Sequence, residues 1–178
     1  MMKILIFGNL GSGKSTLLNE MRKLFGWDVV SIDEFRRKYG DGSIENEYVA
    51  RAFFFKSIIP HKNQFIETTG IGEVARELYI KLSETNEKVY CIILDASKKI
   101  CKKRLKYRKW DIPFPNPIYK VDMFIDKVDE LIAKGSIQKL WENRKNTEIF
   151  FIRNSTNEEF TKAKKILIMI IRDILRNS

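Results

Sequence analysis

The residues Gly8-Asn9-Leu10-Gly11-Ser12-Gly13-Lys14-Ser15 bring glycines, a lysine and a hydroxyl together at the spacing G-x-x-x-x-G-K-S. They follow the apolar run Lys3-Ile4-Leu5-Ile6-Phe7 and precede a helical pattern, the context in which this spacing carries chemistry. Glycines at 8, 11 and 13 let the backbone turn tightly, so that successive N–H groups point into one anion-binding concavity. The helix starting near Gly13 adds its positive dipole end. Lys14 supplies a full charge for the β- and γ-phosphates, and the Ser15 hydroxyl can ligate Mg²⁺. Ser12 and Thr16 belong with the same phosphate contacts. The pattern predicts nucleoside triphosphate binding.

Four other groups could act on a bound triphosphate. Asp33 follows a short strand pattern; a carboxylate there can accept a hydroxyl proton, or simply cap the helical turn that follows. Arg36 is one helical turn further on and can clamp an anionic group, or else pair with Asp33. Glu67-Thr68-Thr69 ends the third strand pattern, where the carboxylate could hold a metal-bound water or take hydrogen bonds from an acceptor. No four-residue apolar run ending in Asp precedes it. Arg104 and Arg108 are four apart on one helix and could close over the triphosphate as a lid; the other reading is a basic solvated face, since lysines surround them. His61 is the single histidine, with no partner pattern, and no Ser/His/Asp or Cys/His set offers acyl chemistry.

These residues need a scaffold that brings strand ends together. Helical spacing runs from Lys14 to Phe25 and stops at Gly26; Trp27–Ile32 reads as a strand, and Ser43 as the N-cap of a helix running to about Ile59. Strands are predicted at Gln64–Ile66, Lys88–Leu94 and Glu148–Ile152, with helices at Glu73–Leu82, after Ser97, at Val121–Ala133, Ile137–Asn143 and Asn157–Leu175. Trp110–Pro117 holds three prolines and reads as a loop. Strands alternating with helices predict an α/β fold with a mostly parallel sheet and helices on both faces. Ligands then bind along the C-terminal strand edge, which gathers Gly8–Ser15, Asp33, Glu67 and Asp95.

At 178 residues the chain reads as one domain, 1–178, with a lid region at about 104–120. No apolar run is long enough to span a bilayer, and Met1-Met2-Lys3 leads straight into the first strand, so a cytoplasmic location is expected. Cys91 and Cys101 have no metal or disulfide spacing. A net charge of +10 suits partners rich in phosphate, nucleic acid among them.

With its phosphate loop, Asp33, Arg36 and the Arg104/Arg108 pair, the chain resembles the P-loop kinases. Within them it looks most like the polynucleotide kinases, zeta toxins and chloramphenicol phosphotransferases. In that branch a strand ends in an Asp that serves as general base, with an Arg shortly after, as at Asp33 and Arg36. Glu67-Thr68 stands where the polynucleotide kinases have Asp-Thr. Their lid carries two arginines four apart before a proline-containing segment, as Arg104, Arg108 and Pro113–Val121 do. The resemblance implies a three-layer α/β/α fold with a five-stranded parallel sheet in order 2-3-1-4-5 and a small helical lid. It also implies ATP and Mg²⁺ as cofactors, and a phosphoryl acceptor that is a nucleotide, a small metabolite or a 5′-hydroxyl nucleic-acid end. The Asp-Gly-Phe-Pro-Arg acceptor motif of adenylate kinase is missing. The alternative is a regulatory protein that binds or hydrolyses a nucleoside triphosphate, with Glu67 orienting water.

Overall fold

The computed structural model describes residues 1–107, 111–113 and 121–176. Its elements run β1 (Met2–Gly8), α1 (Lys14–Phe25), β2 (Asp28–Ser31), α2 (Ile32–Tyr39), α3 (Ile44–Lys56), β3 (Gln64–Glu67) and α4 (Gly72–Ser83). They continue with β4 (Lys88–Asp95), α5 (Lys98–Lys106), α6 (Val121–Ala133), α7 (Ser136–Trp141), β5 (Thr147–Arg153) and α8 (Asn157–Arg176). The five strands are parallel and lie in the order β2-β3-β1-β4-β5. This is the predicted three-layer arrangement and strand order.

The sheet explains why β1 reads as apolar without alternation. It lies between β3 and β4 and is covered on both faces, so every one of its residues is buried. Odd and even positions serve different cores. Ile4, Ile6, Phe65 and Ile92 pack with Leu17, Leu18 and Met21 of α1 and with Leu167 and Ile171 of α8. Leu5, Phe7, Ile66 and Ile93 pack on the other face with Phe54 of α3, Leu78 and Leu82 of α4, and Trp141 of α7. A smaller cluster, Leu10, Ala96, Cys101 and Ile125, seats the phosphate loop on α5 and α6. Asn9 Nδ2 pins that contact by donating to the Ile125 carbonyl at 2.8 Å.

Two expectations need correction. Helix α3 stops at Lys56 instead of reaching Ile59. Beyond Ser57 the chain finds better partners elsewhere: the Ile59 N–H goes to Gln64 Oε1 (2.8 Å), and its carbonyl accepts from Lys3 Nζ (2.6 Å). Asp95, expected just after the strand, is the last residue of β4; it is exposed and lines none of the cavities at the sheet edge. Cys91 and Cys101 are buried free thiols; burial raises both pKa values, that of Cys101 to about 11. No described helix is long and apolar enough to cross a membrane.

Candidate active site

The phosphate loop is built as its glycines require. Gly13 has φ +94°, and a Cβ there would meet Asn154 Nδ2 at 2.6 Å, so only glycine fits between the loop and the end of β5. Asn154 uses that closeness to donate from Nδ2 to the Ser12 carbonyl at 2.6 Å. Lys14 is buried, its ammonium held by the carbonyls of Gly8 (3.0 Å) and Asn9 (2.9 Å). It therefore sits over the loop.

Strand periodicity then decides what faces Lys14. Phe65 points into the core beneath α1, so Glu67, two residues on, shares that face. There its Oε1 accepts a hydrogen bond from Ser15 Oγ at 2.8 Å. The parallel register sets Ser31 of β2 beside Glu67, adding a second hydroxyl. Burial raises the Glu67 pKa; the Lys14 charge and the serine hydrogen bonds oppose burial without overcoming it. A buried carboxylate short of positive charge, touching the hydroxyl of a phosphate loop, fits a magnesium ion. Mg²⁺ commonly takes one or two protein ligands and fills its other positions with water and phosphate oxygens. No group of three or more His, Cys, Asp or Glu that could hold a metal unaided occurs among the described residues.

Three cavities border Asp33 and Glu67, and two of them also reach Lys14. The larger, about 610 Å³, is lined by the loop with Thr16 and Asn19, by Asp33 and Glu67, and on its outer wall by Arg104, Asn154, Asn157 and Phe160. Arg104 spans that wall, donating to the carbonyls of Gly11 and Asn154 (3.1 Å each) and of Ser155 (3.5 Å). The smaller, about 200 Å³, opens on the other side of Lys14, Asp33 and Glu67, between α2, α3 and the start of α4. Thr68 is buried and lines this cavity; its Oγ1 accepts from the Gly70 N–H at 2.9 Å.

A charge network forms the wall of the smaller cavity. Arg36 Nη1 donates to Asp33 Oδ1 at 3.0 Å, while Nε and Nη2 fork onto the two Glu47 oxygens at 2.8 and 2.6 Å. Arg51 Nε also donates to Glu47 Oε1 (3.0 Å), and its Nη1 reaches Glu73. Burial opposes the charge on Arg36, but Glu47 and Asp33 more than offset it and the pKa rises. Burial likewise raises that of Glu47, yet Arg36 and Arg51 bring it below the usual carboxylate range.

The structure thus brings Gly8, Gly11, Ser12, Gly13, Lys14, Ser15, Thr16, Asp33, Arg36, Glu67, Thr68 and Arg104 to one strand edge. Arg108, and most of the stretch 104–120 expected to form a lid, lie outside the described residues. His61 is exposed in the turn before β3, where its N–H is bound by Glu87. Sequence reasoning missed Glu47, Arg51 and Glu73, as well as Asn154. Glu47 and Arg51 are four apart on α3, the same signal that singled out Arg104 and Arg108. Asn154 directly follows β5, at the same strand edge as Asp33 after β2 and Glu67 at the end of β3.

No family model and no curated protein sequence matches the chain. Its likeness is to solved structures. Shikimate kinase from Bacteroides thetaiotaomicron is 12% identical with a TM-score of 0.62, covering 96% of this chain and 98% of that one. A gluconokinase from Sinorhizobium meliloti 1021 is 13% identical with a TM-score of 0.62, covering 99% and 97%. Deoxyadenosine kinase from M. mycoides is 16% identical with a TM-score of 0.59, covering 97% and 100%. At these identities the likeness is one of fold, the adenylate-kinase-like fold of P-loop kinases.

Proposed function

We propose that this chain is a Mg-ATP-dependent kinase that transfers the γ-phosphoryl group to a hydroxyl of a small acceptor. One observation carries the reading: Asp33 lines the two cavities that meet over Lys14 and Glu67. A hydrolase needs room for triphosphate and water; a second walled cavity sharing its carboxylate with the first is what an acceptor requires. The kinases of like fold are named for shikimate, deoxyadenosine and, in gluconokinase, a sugar acid, which favours a small acceptor over a nucleic-acid end. The resemblance of Asp33 and Arg36 to the polynucleotide kinase and chloramphenicol phosphotransferase branch supports the same role for Asp33.

In this reading the triphosphate occupies the larger cavity, with its β- and γ-phosphates on the loop N–H groups and Lys14. Ser15 and Glu67 would hold magnesium, which supplies charge neutralisation on the phosphates. Asp33, fixed by Arg36, takes the proton of the acceptor hydroxyl. The acceptor oxygen bonds to the γ-phosphorus as the bond to the bridging oxygen breaks, ADP leaves, and the proton passes from Asp33 to solvent. Arg104, on the outer wall, faces the nucleotide, and its guanidinium adds charge stabilisation.

The test is transfer from γ-labelled ATP to a panel of hydroxyl acceptors. Asp33→Asn should lower kcat by about 10²–10⁴-fold with little change in ATP binding, the range for loss of a positioned base. Undiminished transfer in that variant would remove Asp33 from the mechanism. Phosphate release without any acceptor, equally fast in Asp33→Asn, would favour the hydrolysing regulator instead.

A further inference from the structure

We infer, building on the kinase reading, that the acceptor is a small, donor-rich hydroxyl compound bearing no acidic group, because the cavity that would receive it has already paired its arginines with its own carboxylates. Among the described residues, its wall presents Arg36 and Arg51 against Asp33, Glu47 and Glu73. All three nitrogens of Arg36 are engaged, Nη1 by Asp33 and the other two by Glu47. Arg51 is held from one side by Glu47 and from the other by Glu73. Lys14 is turned to the loop carbonyls and the phosphate side, and Glu67 to Ser15. Among the described residues, and with Lys14 and Glu67 engaged on the phosphate side, the acceptor wall therefore holds three carboxylates against two guanidinium groups.

An acceptor carrying a carboxylate or phosphate would have to displace one of these carboxylates from its arginine. Of these, Glu47 is 4% exposed and has no route to water in compensation, whereas Glu73 lies at the exposed rim. An acceptor rich in O–H or N–H donors meets the opposite situation. Ionised carboxylates are acceptors only, and those on this wall keep free lone pairs for hydroxyls or amines. Ile71, Val74 and Phe124 also line the cavity and offer contact to the apolar face of a ring. Its volume is about a third of that of the donor cavity, room for a single small ring compound instead of a polymer end. Nucleosides, sugars and amino sugars share this chemistry; sugar acids, nucleotides and 5′-hydroxyl oligonucleotides lack it.

The experiment compares matched acceptors with γ-labelled ATP. A nucleoside is set against its 3′-monophosphate, an aldose and an amino sugar against an aldonic acid, and a 5′-hydroxyl oligonucleotide serves as polyanion. The neutral or cationic member of a pair should show a kcat/KM about tenfold or more above its acidic counterpart. Which pair reacts identifies the class. Glu47→Gln, which frees the arginines, should narrow that ratio. Glu73→Gln, at a more exposed position, should narrow it less while leaving the fold intact, and it decides the matter if Glu47→Gln fails to fold. Preference for the acidic members, or a ratio unmoved in a folded variant, overturns this inference and leaves the kinase reading standing. Transfer to no acceptor at all overturns the kinase reading, and this inference with it.

Discussion

Glu67, beneath the larger cavity, and Glu47, behind the smaller one, are buried to the same degree, at 5% and 4% exposure. Their surroundings are opposite. Glu47 is held by two guanidinium groups and its pKa falls despite burial; Glu67 has two serine hydroxyls and a lysine engaged elsewhere, and burial raises its pKa. One carboxylate is neutralised by the protein's own arginines, and the other is not. Desolvating a carboxylate is unfavourable unless it is paired, so an unpaired one held in place at a strand end marks where a cation belongs. The same rule makes the paired carboxylate a structural brace between α2, α3 and α4.

The sharpest way to break this contrast is to remove the brace. Glu47→Ala strands Arg36 and Arg51 and should destabilise the protein by about 3 kcal/mol, as expected when one partner of a buried ion pair is lost. Urea unfolding would read this as a lower midpoint at unchanged slope. A midpoint equal to that of the unaltered protein would mean that Glu47 is not the structural partner its hydrogen bonds describe.

Glu67→Gln should move stability the other way. The amide keeps an acceptor for Ser15 and removes a buried charge, so the ligand-free protein gains on the order of 1 kcal/mol at neutral pH. Phosphoryl transfer should meanwhile fall by roughly 10–100-fold and need more Mg²⁺ for half-maximal rate. Loss of stability, or an unaltered Mg²⁺ requirement, would put Glu67 with Glu47 as a brace.

The donor side was far more legible in the sequence than the acceptor side, and the reason is locality. The phosphate loop is one uninterrupted stretch whose glycine spacing states its own geometry, and the buried runs at Lys3–Phe7 and Val89–Leu94 fix the centre of the sheet. Asp33 and Glu67 follow from the rule that ligands bind at C-terminal strand ends. That rule also selected Asp95, which faces solvent, because the strand end gives a residue's height along the sheet edge and not the direction of its side chain. Glu47, Arg51 and Glu73 carry no such mark. A Glu and an Arg four apart on a helix describe any solvated surface pair until packing brings α3 against α2 and buries them. Asn154 is similar: its bond to the Ser12 carbonyl joins residues 142 positions apart, beyond the reach of any local pattern.

The smallest effect gives the finest discrimination, since acid should erase the two stability differences in separate pH windows. Glu47 has a folded pKa below its ordinary value of 4.5, so its stabilisation is complete above that value and is lost as pH falls through the depressed one. Glu67 has a folded pKa above the same ordinary value, so its charge lowers stability at neutral pH. That penalty disappears as pH falls through the raised value and is gone by about the ordinary one. Relative to the unaltered protein, Glu67→Gln should therefore lose its advantage above pH 4.5, whereas Glu47→Gln should keep its disadvantage until below pH 4.5. Denaturant midpoints measured from pH 7 downward for the three proteins would show two curves of opposite sign closing one after the other. Curves that close together would mean that both carboxylates sit in equivalent electrostatic surroundings, and the distinction between a braced side and a cation-seeking side would fall.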